Sequence, residues 1–332
     1  MTDVAAAAGV SQTTVSLVLN EVNGARLSQD TVDRVRAAAD QLGYRLARRG
    51  SPMSGSTTLG IVVNELSTDP WMALAIDGAR DKAWEYGLTL SIAVTRGDAE
   101  MEQAVLSRLM ANPLYGLLYG TIHTQRIVPS PSFYRVPTVL LNGYASDRSL
   151  ASVVPAEVQG GRTATQCLAK AGHTRIAMIE GEALMDASRD RLRGYQQALA
   201  AHKIAFDPNL VRPGNWEPSA GYQQTVELMK LKTPPTAIFC ANDLMALGCM
   251  EALAELGLRV PHDISVVGYD DRSVARSTRP PLTTVLLPHF EMGAVAAELI
   301  LAKKIRRGAP HPQIKVACPL VERDTVAPVR TL

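Results

Sequence analysis

The stretch Val4-Ala5-Ala6-Ala7-Ala8-Gly9-Val10-Ser11-Gln12-Thr13-Thr14-Val15-Ser16-Leu17-Val18-Leu19-Asn20 reads as two short helices joined by a tight turn. Alanine favours a helix over residues 4–8, Gly9 supplies the left-handed conformation that ends it, and Ser11 is placed to cap the next one. In that second helix Val15, Val18 and Leu19 recur at i, i+3 and i+4 and make an apolar face, which turns Gln12, Thr13, Ser16 and Leu17 elsewhere. Short polar side chains at the exposed N-terminal end of such a helix reach base edges and phosphates of a DNA major groove together. This is the helix-turn-helix reading. A helical hairpin that merely caps a larger domain has the same spacing.

A third helix starts at Ser28, its N-cap, with Asp30 favoured in the first turn by the helix dipole. Val32, Val35, Ala39 and Leu42 continue at helical spacing, and Gly43 closes the helix. Arg45, Arg48 and Arg49 then lead into Gly50-Ser51-Pro52-Met53-Ser54-Gly55-Ser56, a linker by composition. Its arginines suit phosphates, while a solvated charge run is the alternative.

From Leu59 the pattern becomes strands alternating with helices. Strands are expected at 59–63, 88–94, 116–119 and 138–141, with helices at 72–86 and 98–110. A second run places helices at 160–171, 188–201, 219–231 and 242–256 around strands at 175–179, 237–240 and 264–267. Two such runs imply two doubly wound parallel-sheet lobes. Ligands of such lobes bind beyond the carboxyl ends of the strands, where Asn142, Asn242-Asp243 and Asp270-Asp271 stand.

Composition narrows the function classes. At 332 residues the chain exceeds one core, and 46% hydrophobic with 20% charged residues describes a folded soluble protein. No apolar run reaches a membrane span and no leader pattern opens the chain, so a cytoplasmic protein is expected. Cys167, Cys240, Cys249 and Cys318 form no C-x-x-C pair, which points to buried reduced thiols rather than a metal site. A net charge of +2 makes any DNA footprint local. No G-x-G-x-x-G follows a strand, and P-loop, H-E-x-x-H and G-x-S-x-G patterns are missing, so no enzyme, no metal and no cofactor is expected. Asp270-Asp271 could serve acid/base work, but such carboxylates also bind hydroxyl groups.

Asp3-Val4-Ala5, Ala8-Gly9-Val10-Ser11, Thr14-Val15-Ser16, Leu19-Asn20 and Leu42-Gly43-Tyr44 together resemble the headpiece of the lactose/galactose repressor (LacI/GalR) family. Ala171-Gly172-His173-Thr174-Arg175-Ile176-Ala177, Pro235-Thr236-Ala237-Ile238-Phe239-Cys240-Ala241-Asn242-Asp243 and Pro281-Leu282-Thr283-Thr284-Val285 resemble its core. So does Asp263-Ile264-Ser265-Val266-Val267-Gly268-Tyr269-Asp270-Asp271, and the resemblance runs from Thr2 to about Thr325. It implies an N-terminal all-α helix-turn-helix headpiece (1–44), a linker or hinge (45–57), and an α/β two-lobed periplasmic-binding-protein-like core (58–332). Lobe 1 would span about 58–156 and 290–318, lobe 2 about 157–289 and 319–332. The implied function is that of a homodimeric repressor of carbohydrate-utilisation genes, binding double-stranded operator DNA under allosteric control by a small sugar or sugar-derived effector held between the lobes. A sugar-binding protein without DNA function, and a regulator responding to a non-sugar metabolite, are the alternatives.

Position by position, Gln12 and Thr13 stand where the family reads bases, and Ser11, Thr14, Ser16 and Asn20 where it contacts phosphates or packs the headpiece. Leu17 stands where arginine is common; an apolar residue cannot grip guanine and favours thymine methyl groups instead. Arg48 and Arg49 continue the DNA-facing set. Gly50 then occupies the place of the family's minor-groove leucine, and with Pro52 it disfavours a hinge helix, leaving Leu46 or Met53 as substitute wedges. In the core, Arg191 matches the ligand-binding arginine, Asn242 and Asp270 the strand-end polar contacts, and Trp216 an aromatic ring over the ligand. Asn142 matches a frequent acidic contact, and Trp71 lines the mouth from lobe 1. Leu287 replaces a common glutamine and Ala156 a common aspartate, which thins the polar set and favours a larger or less polar ligand. Without the family, Trp216 reads equally well as core packing. Effector binding would alter lobe closure and thereby the spacing of the two headpieces. No leucine heptad tail follows Glu322-Arg323, so a dimer rather than a tetramer is expected.

Overall fold

Val4, Ala5 and Ala8 of helix α1 (Thr2–Ala8) bury against Val35, Ala38 and Ala39 of α2 (Gln29–Gln41), with Val15 and Val18 completing the small core. The computed structural model describes residues 2–10, 14, 15, 18, 28–41, 57–67, 71–305 and 310–329. Gly9 ends α1 at φ +65°, and Arg34 Nη1 donates to the Ala8 carbonyl at 3.2 Å, satisfying an end group that the helix leaves open. Ser28 Oγ accepts from Thr31 N at 3.2 Å, the cap expected of it. Thr14, Val15 and Val18 are helical. Ser11, Gln12, Thr13, Ser16, Leu17 and Asn20, the linker with Arg48 and Arg49, and the closing residues Leu42 and Gly43 lie outside the described residues.

The rest of the chain builds two six-stranded sheets. One holds β1 (Thr58–Val63), β2 (Thr89–Val94), β3 (Gly116–Arg126), β4 (Thr138–Tyr144), β5 (Ala151–Pro155) and β11 (Gln313–Val316), in the order β11-β5-β4-β3-β1-β2. The other holds β6 (Ile176–Ile179), β7 (Val211–Arg212), β8 (Ala237–Cys240), β9 (Ser265–Asp270), β10 (Thr283–Leu286) and β12 (Leu320–Val321), in the order β12-β10-β9-β8-β6-β7. Every pairing is parallel except β10 with β12. Runs such as Leu59-Gly60-Ile61-Val62-Val63 are buried on both faces, as parallel strands covered by helices must be. The chain passes between the sheets near Pro155–157, 286–289 and 316–320.

Against expectation, β3 runs on to Arg126, β4 to Tyr144 and β9 to Asp270, carrying their polar ends into the space between the sheets. β5, β7, β10, β11 and β12 are strands beyond those expected from the sequence. Helix α10 (His289–Leu301) escapes a periodicity reading because Met292, Ala296, Ala297, Leu299, Ile300 and Leu301 are all buried, which leaves little contrast between its faces.

The covering helices are α3 (Trp71–Glu85), α4 (Ala99–Leu109), α5 (Glu157–Lys170), α6 (Asp186–Ala201), α7 (Pro218–Met229), α8 (Asp243–Glu255), the short α9 (Ser273–Ser277), and α10. They cross in tight pairs that only glycine allows. A Cβ on Gly161 of α5 would meet the Arg191 backbone and one on Gly194 of α6 the Val158 carbonyl; Gly78 with Gly293 and Gly221 with Gly248 do the same for α3–α10 and α7–α8. All four cysteines are free thiols. Among the described residues no helix is long and apolar enough to cross a membrane, and no cluster of metal-ligating side chains is present. Because the α5–α6 contact is backbone on backbone, Gly194→Ala is expected to destabilise the protein by about 1–3 kcal/mol, the usual cost of overpacking. A lower urea midpoint at unchanged slope would show it, and a wild-type midpoint would contradict it.

Candidate effector site

Between the two sheets lies a cavity of about 360 Å³, near the lower end of the range of small-molecule sites, roughly 300–1,000 Å³. Trp71 opens α3, Asn142 lies in the last half of β4, Asp270 ends β9, Asn242 follows β8, Trp216 precedes α7 and Arg191 projects from the first half of α6. All six line this one cavity, together with Glu157 and Leu287 from two of the passages between sheets.

Arg191 is its fixed point. Nε and Nη2 donate to the two carboxylate oxygens of Glu157 at 2.8 and 2.9 Å, and Nη1 donates to the Ala241 carbonyl. Its Cζ lies 3.7 Å from the centre of the Tyr269 ring and 5.5 Å from that of Trp216. Burial opposes the charge, but Glu157, Tyr269 and Asp270 outweigh it and hold the guanidinium above its ordinary pKa. The Asp270 carboxylate stands 3.6 Å from Nη1, a longer ion pair than the one with Glu157.

Glu157 was not singled out by the sequence. Ala156 takes the usual aspartate position, and the next residue supplies a buried carboxylate, both of whose oxygens are held by Arg191. The signal was an acid at the start of a helix that follows a buried strand. Arg272 is a second addition: its Nε lies 3.4 Å from Asp270 Oδ2 and its Cζ 5.1 Å from the Trp71 ring centre.

Asn142 has another task than the acidic contact it was matched to. Its Nδ2 donates to the carbonyls of Thr121 and Ile122, both at 3.0 Å, and its Oδ1 accepts from Thr124 Oγ1 at 2.6 Å. Both amide protons are thereby used on an irregular stretch of β3, which turns Ile122, His123 and Thr124 into the cavity wall. Asn242 is likewise a brace: Oδ1 caps α8 through Met245 N at 2.8 Å, while Nδ2 holds the Trp216 carbonyl at 2.9 Å and leaves one amide proton for a ligand. Trp216, at φ +69°, lays its ring against Gly181, where a Cβ would collide with it.

Two buried groups beneath the wall have displaced pKa values. Burial, reinforced by Asp270, pushes Asp243 up to about 8, and its oxygens accept from Thr284 Oγ1 and Arg272 N, both at 2.6 Å. Burial pushes His289 down to about 4; its ring stacks on Trp71 with centroids 5.8 Å apart. Of the DNA-facing set only Thr14 is described, half-buried in its helix. The Asn142 geometry generates a prediction. Asn142→Asp turns two donors into acceptors facing carbonyl oxygens, so it should cost about 1–3 kcal/mol and lower the thermal midpoint; an unchanged midpoint would show that the amide is not a brace.

The comparisons agree with this architecture. Residues 1–45 match the family model for bacterial regulatory proteins of the lacI family, and residues 165–326 match the periplasmic binding protein-like domain. The chain is 31% identical over 328 residues to the HTH-type transcriptional repressor PurR of Vibrio atlanticus (strain LGP32), covering 98% of this chain and 97% of that protein. It is 31% identical over 306 residues to the ribose operon repressor of Haemophilus influenzae, covering 91% of each. Among solved structures it is similar to a complex of the transcriptional regulator CelR with cellobiose, at 31% identity and a TM-score of 0.66 over 97% of this chain and 98% of that one. It is also similar to the lac repressor dimer bound to operator and the anti-inducer ONPF, at 28% identity and a TM-score of 0.68 over 98% of each. These curated relatives are repressors, a role without catalysis. The chain belongs to the LacI family and is a DNA-binding transcriptional repressor.

Proposed function

We propose that this repressor controls carbohydrate-utilisation genes and that its effector is a sugar held in the cavity between the sheets. The observation that carries the reading is the Trp216 indole set beside Arg191, Asn242 and Asp270 on one wall. A sugar ring offers an apolar C–H face to an indole and hydroxyl groups, which both donate and accept, to a guanidinium, an amide and a carboxylate.

In this reading the protein is a cytoplasmic homodimer, with a headpiece at 1–44, a linker at 45–57 and an effector core at 58–332 whose lobes are built on the two sheets. Gln12 and Thr13 read bases, Leu17 favours thymine methyl groups, and Ser11, Thr14, Ser16, Asn20, Arg48 and Arg49 contact the backbone or pack the headpiece. Ligand contacts pull on both sides at once: Trp71 comes from the first sheet's side, Arg191 and Asp270 from the second. Two contacts already join those sides, Arg272 over Trp71 and Tyr144 Oη donating to Asp186 Oδ2 at 2.7 Å. A ligand that favours one lobe angle therefore shifts the balance between conformations, and with it operator affinity.

Isothermal titration of the full chain against neutral sugars and, as the flat alternative, nucleobases tests this. A sugar is expected to bind, and Trp216→Ala to weaken it about tenfold, equivalent to ~1.4 kcal/mol. Binding of a nucleobase with none of the sugars would overturn the reading.

A further inference from the structure

We propose that the effector site has a second, polar chamber and takes a saccharide of at least two units. This rests on the sugar reading above. A second cavity of about 470 Å³ adjoins the first, and Thr124, Pro155, Glu157 and Ala187 line both.

The walls of the second chamber again come from opposite sides. Asp186, Asp190 and Arg193 stand at i, i+4 and i+7 on one face of α6, while Arg191 of the same helix lines the first chamber. Facing them are Tyr144 at the end of β4, Ser152 of β5 and Lys315 of β11, and the Tyr144–Asp186 hydrogen bond spans the gap. No tryptophan lines this chamber. Its side chains carry both signs of charge and hydroxyl groups, and Arg193 Nη1 is paired with Asp190 Oδ1 at 3.3 Å. Hydroxyl groups suit such a mixture because each can donate to a carboxylate and accept from a cation. Arg148, Arg189, Arg193 and Lys315 stand there against Glu157, Asp186 and Asp190, so the two signs of charge nearly balance.

The division of chemistry follows. One sugar unit packs on Trp216 beside Arg191 and Asp270; the next lies in the polar chamber between α6 and the ends of β4, β5 and β11. Such a ligand touches each lobe in both chambers, so an added unit raises affinity and strengthens the preference for one lobe angle together.

The test is isothermal titration of the full chain with glucose, galactose and fructose, with maltose, cellobiose, sucrose and trehalose, and with glucose 6-phosphate. At least one disaccharide is expected to bind about tenfold or more tighter than either of its component sugars. Asp190→Asn and Lys315→Gln, both at the rim of the second chamber, are expected to remove most of that advantage and leave monosaccharide affinity within about twofold. A monosaccharide binding as tightly as every disaccharide that contains it would overturn the proposal while leaving the sugar reading intact. So would glucose 6-phosphate binding tighter than all the disaccharides, which would make the chamber an anion site. Binding of no saccharide at all would overturn both.

Discussion

A buried guanidinium cannot be left to find its own partner, and the arrangement of the cavity follows from the one it has. Glu157 grips Arg191 with both oxygens at the point where the chain first enters the second sheet's territory. Two charges removed from water are tolerable only when their geometry is good and their remaining donors are satisfied. The Ala241 carbonyl and the Tyr269 ring meet those conditions for Arg191. Its Nη1 also faces Asp270 across 3.6 Å, and this longer ion pair lies at the polar end of the cavity.

The scaffold around the pair is stiff for a related reason. Gly161 and Gly194 bring α5 and α6 together until backbone touches backbone, and the residues on either side of that contact are those that carry the pair. The sheets themselves are joined through the passages at Pro155–157, 286–289 and 316–320 and by side-chain contacts across the cleft. Rigid bodies with a few adjustable connections convert a small change at a ligand into rotation of one body against the other. In the proposed function such rotation is what carries effector binding to the DNA-binding helices that precede the first sheet in the chain.

Much of this was open to a reading of residues. Gly9 and Ser28 act as their local chemistry demands, and the alternation of strands and helices foretold two parallel sheets. Arg191, Trp216, Asn242, Asp270, Asn142 and Trp71, scattered over two hundred positions, share one cavity because strand ends converge there. What stayed hidden depends on three dimensions. Glu157 sits one place away from where an acid was sought, and only the path of α5 shows that its carboxylate still reaches Arg191. The amide of Asn142 is spent on an irregularity in β3 that no periodicity reveals. The uniformly apolar α10 lacks the contrast on which pattern reading relies, and β5, β7, β10, β11 and β12 are strands beyond those expected.

The dependence of the site on Glu157 and Arg191 is tested most directly by a double-mutant cycle on folding stability, with Glu157→Gln, Arg191→Met and the double variant in denaturant unfolding. Each single change should cost about 3–5 kcal/mol by stranding a buried charge, and the double variant should cost no more than the worse single one. If the two single costs simply add, to within about 0.5 kcal/mol, the pair is not the constraint that orders the cavity.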